Sequence, residues 1–341
     1  MNPHCMPARF ALRSLPAALA CGLLLAACGG GGGDAPSTGT ATPLSQPDAT
    51  ADSANSSQTG TDVAASLDTV YDTTAVLAQA TAVPATAPSD RMHAQAAGAP
   101  IANATVNCAG GGTATLTISG GTLASQLDGQ LDAGEHYSVA YAHCTGAAGY
   151  AQLDGGVEMD VVSVADTSTP ATTAVNLAIT HLTLTLPSGN AVLDGSATLS
   201  RTTAVAGGVT TTTSHASVPS ATLATDFNAR SGSFTLSDLD ATRTVQSVAG
   251  VMTASQYSGH HALSGTANGR TFSMSVATTG NVSCDATGAL VSGQWTVMRP
   301  HATIVTVVAN GTVVLTVDDG NDGTIDHTWT FSRAQLDATA G

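Results

Sequence analysis

The chain has 341 residues, with nine arginine and lysine residues together against 24 carboxylates, for a formal net charge of −15. All of the cations are arginine, so there is no Schiff-base amine, no P-loop lysine and no Ser–Lys dyad. An acidic chain without a basic patch also lacks the phosphate contacts that dominate nucleic-acid affinity, and no nucleic-acid partner is expected.

Residues 1–27 read as a signal peptide. Arg9 and Arg13 supply a positive start, and the apolar run from Ala17 to Ala27 is shorter than the roughly 20 residues of a membrane span. The run ends in Leu25-Ala26-Ala27-Cys28, followed by the glycines Gly29 to Gly33. This resembles the lipobox of bacterial lipoproteins. The resemblance implies cleavage before Cys28, a diacylglycerol on its sulfur and an acyl chain such as palmitate on the new N-terminus. Two or more chains anchor stably where one does not. Membrane attachment is therefore expected through lipid alone. Residue 29 is glycine rather than the aspartate that marks inner-membrane retention in that family, which implies the outer membrane, on its periplasmic or surface-exposed side. An ordinary signal peptide cut after an A-x-A site is the alternative. Cys21 is a poorer acceptor, because Ala18 stands where leucine is wanted.

Residues 28–100, after the lipidated cysteine, are rich in Gly, Ser, Thr, Ala, Pro and Asp. Such a segment buries too little apolar surface to offset its ordering entropy and reads as a disordered tether. As a coil it would span on the order of 45 Å. Val63 to Ala80, with Leu67, Val70, Tyr71, Val76 and Leu77, is a possible short helix within it.

From Ile101 the pattern changes to period two, and residues 101–341 read as one antiparallel β domain. Thr113 to Ile118 alternates, and Tyr137, Val139 and Tyr141 share one face. Threonine is abundant, as in half-buried strands. Val175 to Leu186 contains a phase slip: Val175, Leu177 and Ile179 share one parity and Leu182, Leu184 and Leu186 the other. A β-bulge near Thr180-His181 would restore one apolar face. Leu153-Asp154-Gly155, Leu193-Asp194-Gly195, Leu263-Ser264-Gly265 and Val291-Ser292-Gly293 recur, each read as marking a strand start. Thr303 to Val308 and Thr312 to Val317 form a hairpin about Asn310-Gly311, and His327 to Phe331 is the last strand. A dozen or more short-connected strands predict an all-β fold: a large antiparallel meander, as a curved sheet, a partly closed barrel or a two-layer sandwich.

The segments Cys108-Ala-Gly-Gly-Gly, Leu131-Asp-Ala-Gly-Glu135 and Val317 to Asp326 followed by Trp329 resemble a loose group of lipoproteins of high-GC proteobacteria. That resemblance implies an extracytoplasmic β domain and carries no activity with it.

Cys108, Cys144 and Cys284 remain downstream of Cys28. The preferred disulfide is Cys108–Cys144, the closest pair, flanking neighbouring strands. Closing that loop is worth roughly 4 kcal/mol on the chain-entropy model. Cys284 would then be a buried free thiol; other pairings stay open.

No cofactor is expected, apart from a possible calcium ion. Counting Asp318 as first in a calcium loop puts Asp322 fifth, Gly323 sixth and Asp326 ninth. Gly320 and Trp329 stand where further ligands are wanted, and the same residues make an ordinary acidic turn. Asp128, Asp132 and Glu135 form a second acidic loop. His181 sits at the phase slip, read as ligand or as bulge residue. His260 and His261 would point to opposite faces of a strand, and His136 and His143 differ by an odd number. There is no HExxH, CxxC or GxSxG, so no catalytic residue is singled out.

These readings favour a lipid-anchored cell-envelope β-domain protein, a non-catalytic structural, binding or adhesion-type module. The alternatives are a lipid or acyl-chain carrier with a pocket lined by Leu177, Ile179, Leu182 and Leu184, and a hydrolase with a scattered active site.

Overall fold

The computed structural model describes residues 43–81, 102–108, 111–128, 130–145, 152–165, 170–186, 189–227, 230–267 and 270–339. One long helix, α1 (Gln46–Thr81), precedes the sheet strands. They are β1 (Ala102–Asn107), β2 (Thr113–Gly120), β3 (Glu135–Thr145), β4 (Gln152–Ala165), β5 (Ala171–Leu186), β6 (Gly189–Ala206), β7 (Val209–Phe227) and β8 (Arg230–Val248). There follow β9 (Val251–Ala267), β10 (Arg270–Thr278), β11 (Val282–Asp285), β12 (Leu290–Arg299), β13 (Ala302–Ala309), β14 (Thr312–Asp319) and β15 (His327–Ser332). Two short helices, α2 (Leu123–Asp128) and α3 (Arg333–Thr339), complete the set.

All fifteen strands belong to one antiparallel sheet in sequence order, with β11 folded against β9 and β12. The curved-meander expectation holds, and a single sheet forms rather than the two of a sandwich. Alternation drives each strand: β2 is buried at every second residue, as is most of β13. The β13–β14 hairpin turns at Asn310 and Gly311, with φ of 53° and 74°, the left-handed pair that a tight two-residue hairpin needs.

Bulges bend the sheet. The register shifts between Tyr141 and Cys144 in β3, Ile179 and Leu182 in β5, Ser196 and Thr198 in β6, and Ser237 and Asp240 in β8. His181 has φ of 45° at the β5 bulge, where the phase slip required an extra residue. Each bulge increases local twist and bends its strand, so a row of them coils the sheet. Asp154 and Asp194 explain the recurring Leu-Asp-Gly. Their carboxylates accept the backbone N–H of His143 at 2.8 Å and of His181 at 2.7 Å. These motifs thus brace bulges on the preceding strand, and Leu263-Ser264-Gly265 falls at the end of β9 rather than its start.

Residues 46–81 differ from expectation. Instead of a free tether with a helix at 63–80, they form a 36-residue helix that is buried against the sheet from Ala49 to Ala64 and at Leu67, Asp68 and Val70. Val63, Ala64, Leu67 and Val70 pack into a core with β2 to β9 residues such as Ile118, Val218 and Leu263. Ala49 and Ala54 pack into a second core with Val297, Ile304 and Leu315, closed by Leu336 of α3. No helix among the described residues is long and apolar enough to cross a membrane.

Candidate functional site

The densest chemistry in the molecule is the seat of α1. From Ala49 to Ala64 every residue except Gly60 is an aliphatic or a buried polar side chain, and Ser53, Ser56, Gln58 and Thr59 are at most 2 % exposed. Small side chains bring the helix close to the wall. Its Ser53 accepts from the Trp295 indole through both the carbonyl oxygen, at 3.1 Å, and Oγ, at 2.9 Å, while Ser53 Oγ and Thr306 Oγ1 lie 2.5 Å apart.

Three ion pairs fasten this helix to three strands. Arg299 of β12 meets Asp52 at 2.5 Å, Arg243 of β8 meets Asp68 at 2.9 Å, and Arg201 of β6 meets Asp72. Arg201 also sits 5.2 Å over the Tyr71 ring, a cation–π contact. The sequence puts these arginines indoors. Arg201 has the strand parity of Ala197 and Leu199, Arg243 that of Leu239 and Ala241, and Arg299 that of Trp295 and Val297, all of them buried. Burial pushes the Asp52 carboxyl up to about 6; Arg299 pulls it back and Asp48 adds to the rise.

Between the anchors lies a polar patch of a different kind. Gly60 faces β9 so closely that a Cβ there would stand 2.4 Å from the Tyr257 hydroxyl and 2.8 Å from the His261 ring. Both rings are buried, and Tyr257 Oη and both His261 nitrogens lack hydrogen-bond partners among the described residues. The same holds for both oxygens of Asp62. Burial pushes Asp62 up to about 7, with Gln58 and Arg243 drawing it partly back. His261 is pushed down to about 4, also by burial; the Ser56 backbone opposes this and His260 adds to it. The Tyr257 phenol is raised by burial.

Of the residues singled out in the sequence, Cys28 lies outside the described residues. Cys108 and Cys144 form a disulfide with Cα atoms 5.4 Å apart. In the full-length chain Cys284 is buried in β11 and disulfide-bonded, so it is not the free thiol that the cysteine arithmetic left over.

The acidic loops act as turns. Asp318 accepts the N–H groups of Asp322 and Gly323, Asp322 accepts that of Thr324, and Asp326 accepts that of Asp319. Asp128 accepts the N–H of Gln130, whereas Glu135 is buried and accepts both Asp132 N–H and the Tyr137 hydroxyl. Among the described residues no three His, Cys, Asp or Glu side chains gather to hold a metal.

His260 is exposed and His261 buried, on opposite faces as strand geometry demands. His136 and His143 overturn the odd-spacing argument. The β3 bulge resets the parity, so both face outwards, pairing with Asp160 at 2.7 Å and Asp154 at 3.2 Å.

An apolar cavity of about 40 Å³ lies between α1 and the sheet, lined by Val63, Leu67, Ile179, Val218 and Leu263 among others. Small-molecule sites ordinarily measure roughly 300–1,000 Å³. Of the residues expected to line a carrier pocket, Ile179 borders this cavity, Leu177 and Leu182 are packed in the core, and the Leu184 side chain lies outside those described.

Asp52, Gly60, Asp62, Asp68 and the inward arginines escaped sequence reasoning. The available signal was the parity of the three arginines within apolar strands, matched by aspartates spaced along a segment with no other cations. No protein family, characterised protein or solved structure matches this chain.

Proposed function

We propose that this is a lipid-anchored cell-envelope module, attached to the outer membrane through Cys28, that works by binding or display rather than by catalysis. The observation that carries the non-catalytic reading is the filled interior. Helix α1 occupies the concave side of the sheet, and the cavity of about 40 Å³ beside it is lined mostly by apolar side chains, with no His, Cys, Asp or Glu among them. An acyl-chain carrier needs a volume that the seated helix leaves no room for. The described outer surface is Thr- and Ser-rich with scattered His–Asp pairs, and it is there that a partner would meet the protein.

Metabolic labelling with palmitate and membrane fractionation test the anchor. The parent protein should take up label and sediment with outer membrane. Cys28→Ser should be unlabelled and released, with an unchanged circular dichroism spectrum. A Cys28→Ser protein that still fractionates with outer membrane overturns the anchor. Labelling by a serine-hydrolase probe that a single Ser→Ala change abolishes would overturn the non-catalytic reading.

A further inference from the structure

Helix α1 behaves as a guest of the sheet. The strands pair in sequence order from β1 to β15 without it, and it adds no rung to the ladder. Its contacts with the strands run through side chains and through single backbone groups such as the Ser53 carbonyl. Alone it is a weak helix. Residues 46–64 include Pro47, Gly60 and many Ser, Thr, Asn and Asp, all below alanine in helix propensity, and no Lys or Arg is present for intrahelical pairs. Its order therefore comes from the surface that holds it.

That surface reads out a specific ligand. Asp52 to Asp72 spans 20 residues, about 30 Å of helix. Over this length the sheet offers a guanidinium at three points, a close-approach site at Gly60, and apolar contacts for Val63, Leu67 and Val70. One acid in the span is treated differently. Asp62 has no cation within ion-pair distance among the described residues. The groups that act on it are Gln58 on α1 and Arg243 of β8, which Asp68 already engages; Tyr257 and His261 of β9 face Gly60, about 200° round the helix from Asp62, with His260 turned outwards.

We infer that the concave face of the sheet is a binding site for a polypeptide helix, occupied by α1 and open to exchange with the same segment of a second copy, and that ionisation of Asp62 loosens the occupant. The direction follows from linkage. A carboxyl held protonated in the seat binds its proton more tightly there than in the released helix, so seating weakens as pH rises. The effect of Asp62 approaches tenfold per pH unit from its ordinary range near 4 up to about 7, and is complete above that. Asp52 adds in the same direction up to about 6. His261 works the other way: its seat disfavours the protonated ring, so seating weakens as pH falls from the ordinary 6.5 towards 4. Two acids outweigh one imidazole, so the helix is held more firmly in mild acid than at slightly alkaline pH.

The test uses the full chain carrying a protease site between residues 82 and 101, folded first and cut afterwards. Size exclusion then reads the fraction of the N-terminal fragment still bound to the sheet from pH 5.5 to pH 8.5. Fluorescently labelled peptide 46–81 reports exchange. The expected result is retention at pH 5.5, about a tenfold larger released fraction at pH 8.5, and uptake of labelled peptide on return to pH 5.5. In Asp62→Asn the rise in release with pH should disappear, because the remaining Asp52 and His261 effects oppose each other. Hydrogen exchange of residues 46–81 in the uncut parent, corrected for intrinsic rates, gives the same reading without a variant: protection should fall with pH while β13 and β14 stay protected. A fragment that leaves only when the sheet unfolds, and never exchanges for peptide, overturns the binding-site reading. Release with the same pH profile in parent and Asp62→Asn overturns the role of Asp62.

Discussion

Gly60→Ala sets two known effects against each other inside one residue. In an open helix the change is favourable, because alanine exceeds glycine by about 1 kcal/mol in helix propensity. Here the new methyl would stand 2.4 Å from Tyr257 Oη and 2.8 Å from His261 Cε1 and Nδ1, distances that real methyl groups do not sustain. Neither ring can swing away, since Tyr257 and His261 are each 3 % exposed in a packed wall. Overpacking of this kind costs about 1–3 kcal/mol, with the upper end expected where rigid rings oppose the methyl. The helix gain offsets only part, so a net loss of about 1–2 kcal/mol is expected, a fall in Tm of roughly 2–8 °C for a domain of this size. Urea denaturation followed at Trp295, whose indole touches Ser53, would measure it. The Tyr257 hydroxyl has no hydrogen-bond partner among the described residues, so Tyr257→Phe alone should lie within about 1 kcal/mol of the parent. Because it removes the nearest clashing atom, it should also recover part of the Gly60→Ala loss, a coupling of about 1 kcal/mol in a double-mutant cycle. A Gly60→Ala protein as stable as the parent, or more so, would refute the close-approach argument and leave propensity in command.

Other consequences can be measured on the same protein. Arg243→Met leaves Asp68 buried without its guanidinium and should cost about 3–5 kcal/mol, most of it recovered when Asp68→Leu is added; urea titration of the three variants decides this. Opening the Cys108–Cys144 bond by paired serine substitution releases a link across 36 residues and should cost about 4 kcal/mol in non-reducing denaturation. Asp194→Ala removes the acceptor of the His181 N–H and should cost about 1 kcal/mol, while His181→Gly, free to hold φ of 45°, should cost less than His181→Val; ranking the three by Tm checks the bulge. Titrating calcium into the parent should release no binding heat attributable to Asp322, so Asp322→Ala should give the same isotherm, because the Asp318 carboxylate is already committed to the N–H groups of Asp322 and Gly323.

The β domain was legible because its rules are local. Alternation fixed which residues of β2 and β13 face inwards, the parity change in β5 called for a bulge, and Asn310-Gly311 marked its turn. The seat of α1 was not legible for a physical reason. A composition of Ser, Thr, Asn, Asp and Gly signals disorder because such a chain cannot bury enough apolar surface by itself. That argument counts only what the segment brings. It omits the apolar wall already assembled by β2 to β9, and the arginines that this wall supplies. The parity argument failed at His136 and His143 for a related reason, since it assumes a regular strand and His143 is itself part of the bulge in β3. Leu-Asp-Gly was visible as a recurrence, but its meaning lay on the neighbouring strand, in the backbone N–H groups that Asp154 and Asp194 accept.

The spacing of the three ion pairs explains how a helix of weak amphipathic character finds one position. Asp68 and Asp72 are four residues apart and share a face, from which they reach β8 and β6. Asp52 precedes Asp68 by 16 residues; at 3.6 residues per turn this rotates the side chain by about 160°, to the other side of the helix, where Arg299 of β12 meets it. The helix is thus gripped from two sides at points about 24 Å apart along its axis. A slip of one residue turns every aspartate by about 100° and breaks all three pairs together, leaving the carboxylates and guanidiniums of the Asp52 and Asp68 pairs buried apart. A slip of one full turn restores the angle but carries each aspartate about 6 Å past its arginine and drives a side chain into the place that Gly60 leaves for Tyr257 and His261. Ion pairs buried in this way add little net stability over apolar contacts of the same size. Their contribution here is selection: the apolar wall makes insertion favourable, and the charges decide which register of the inserted helix is allowed.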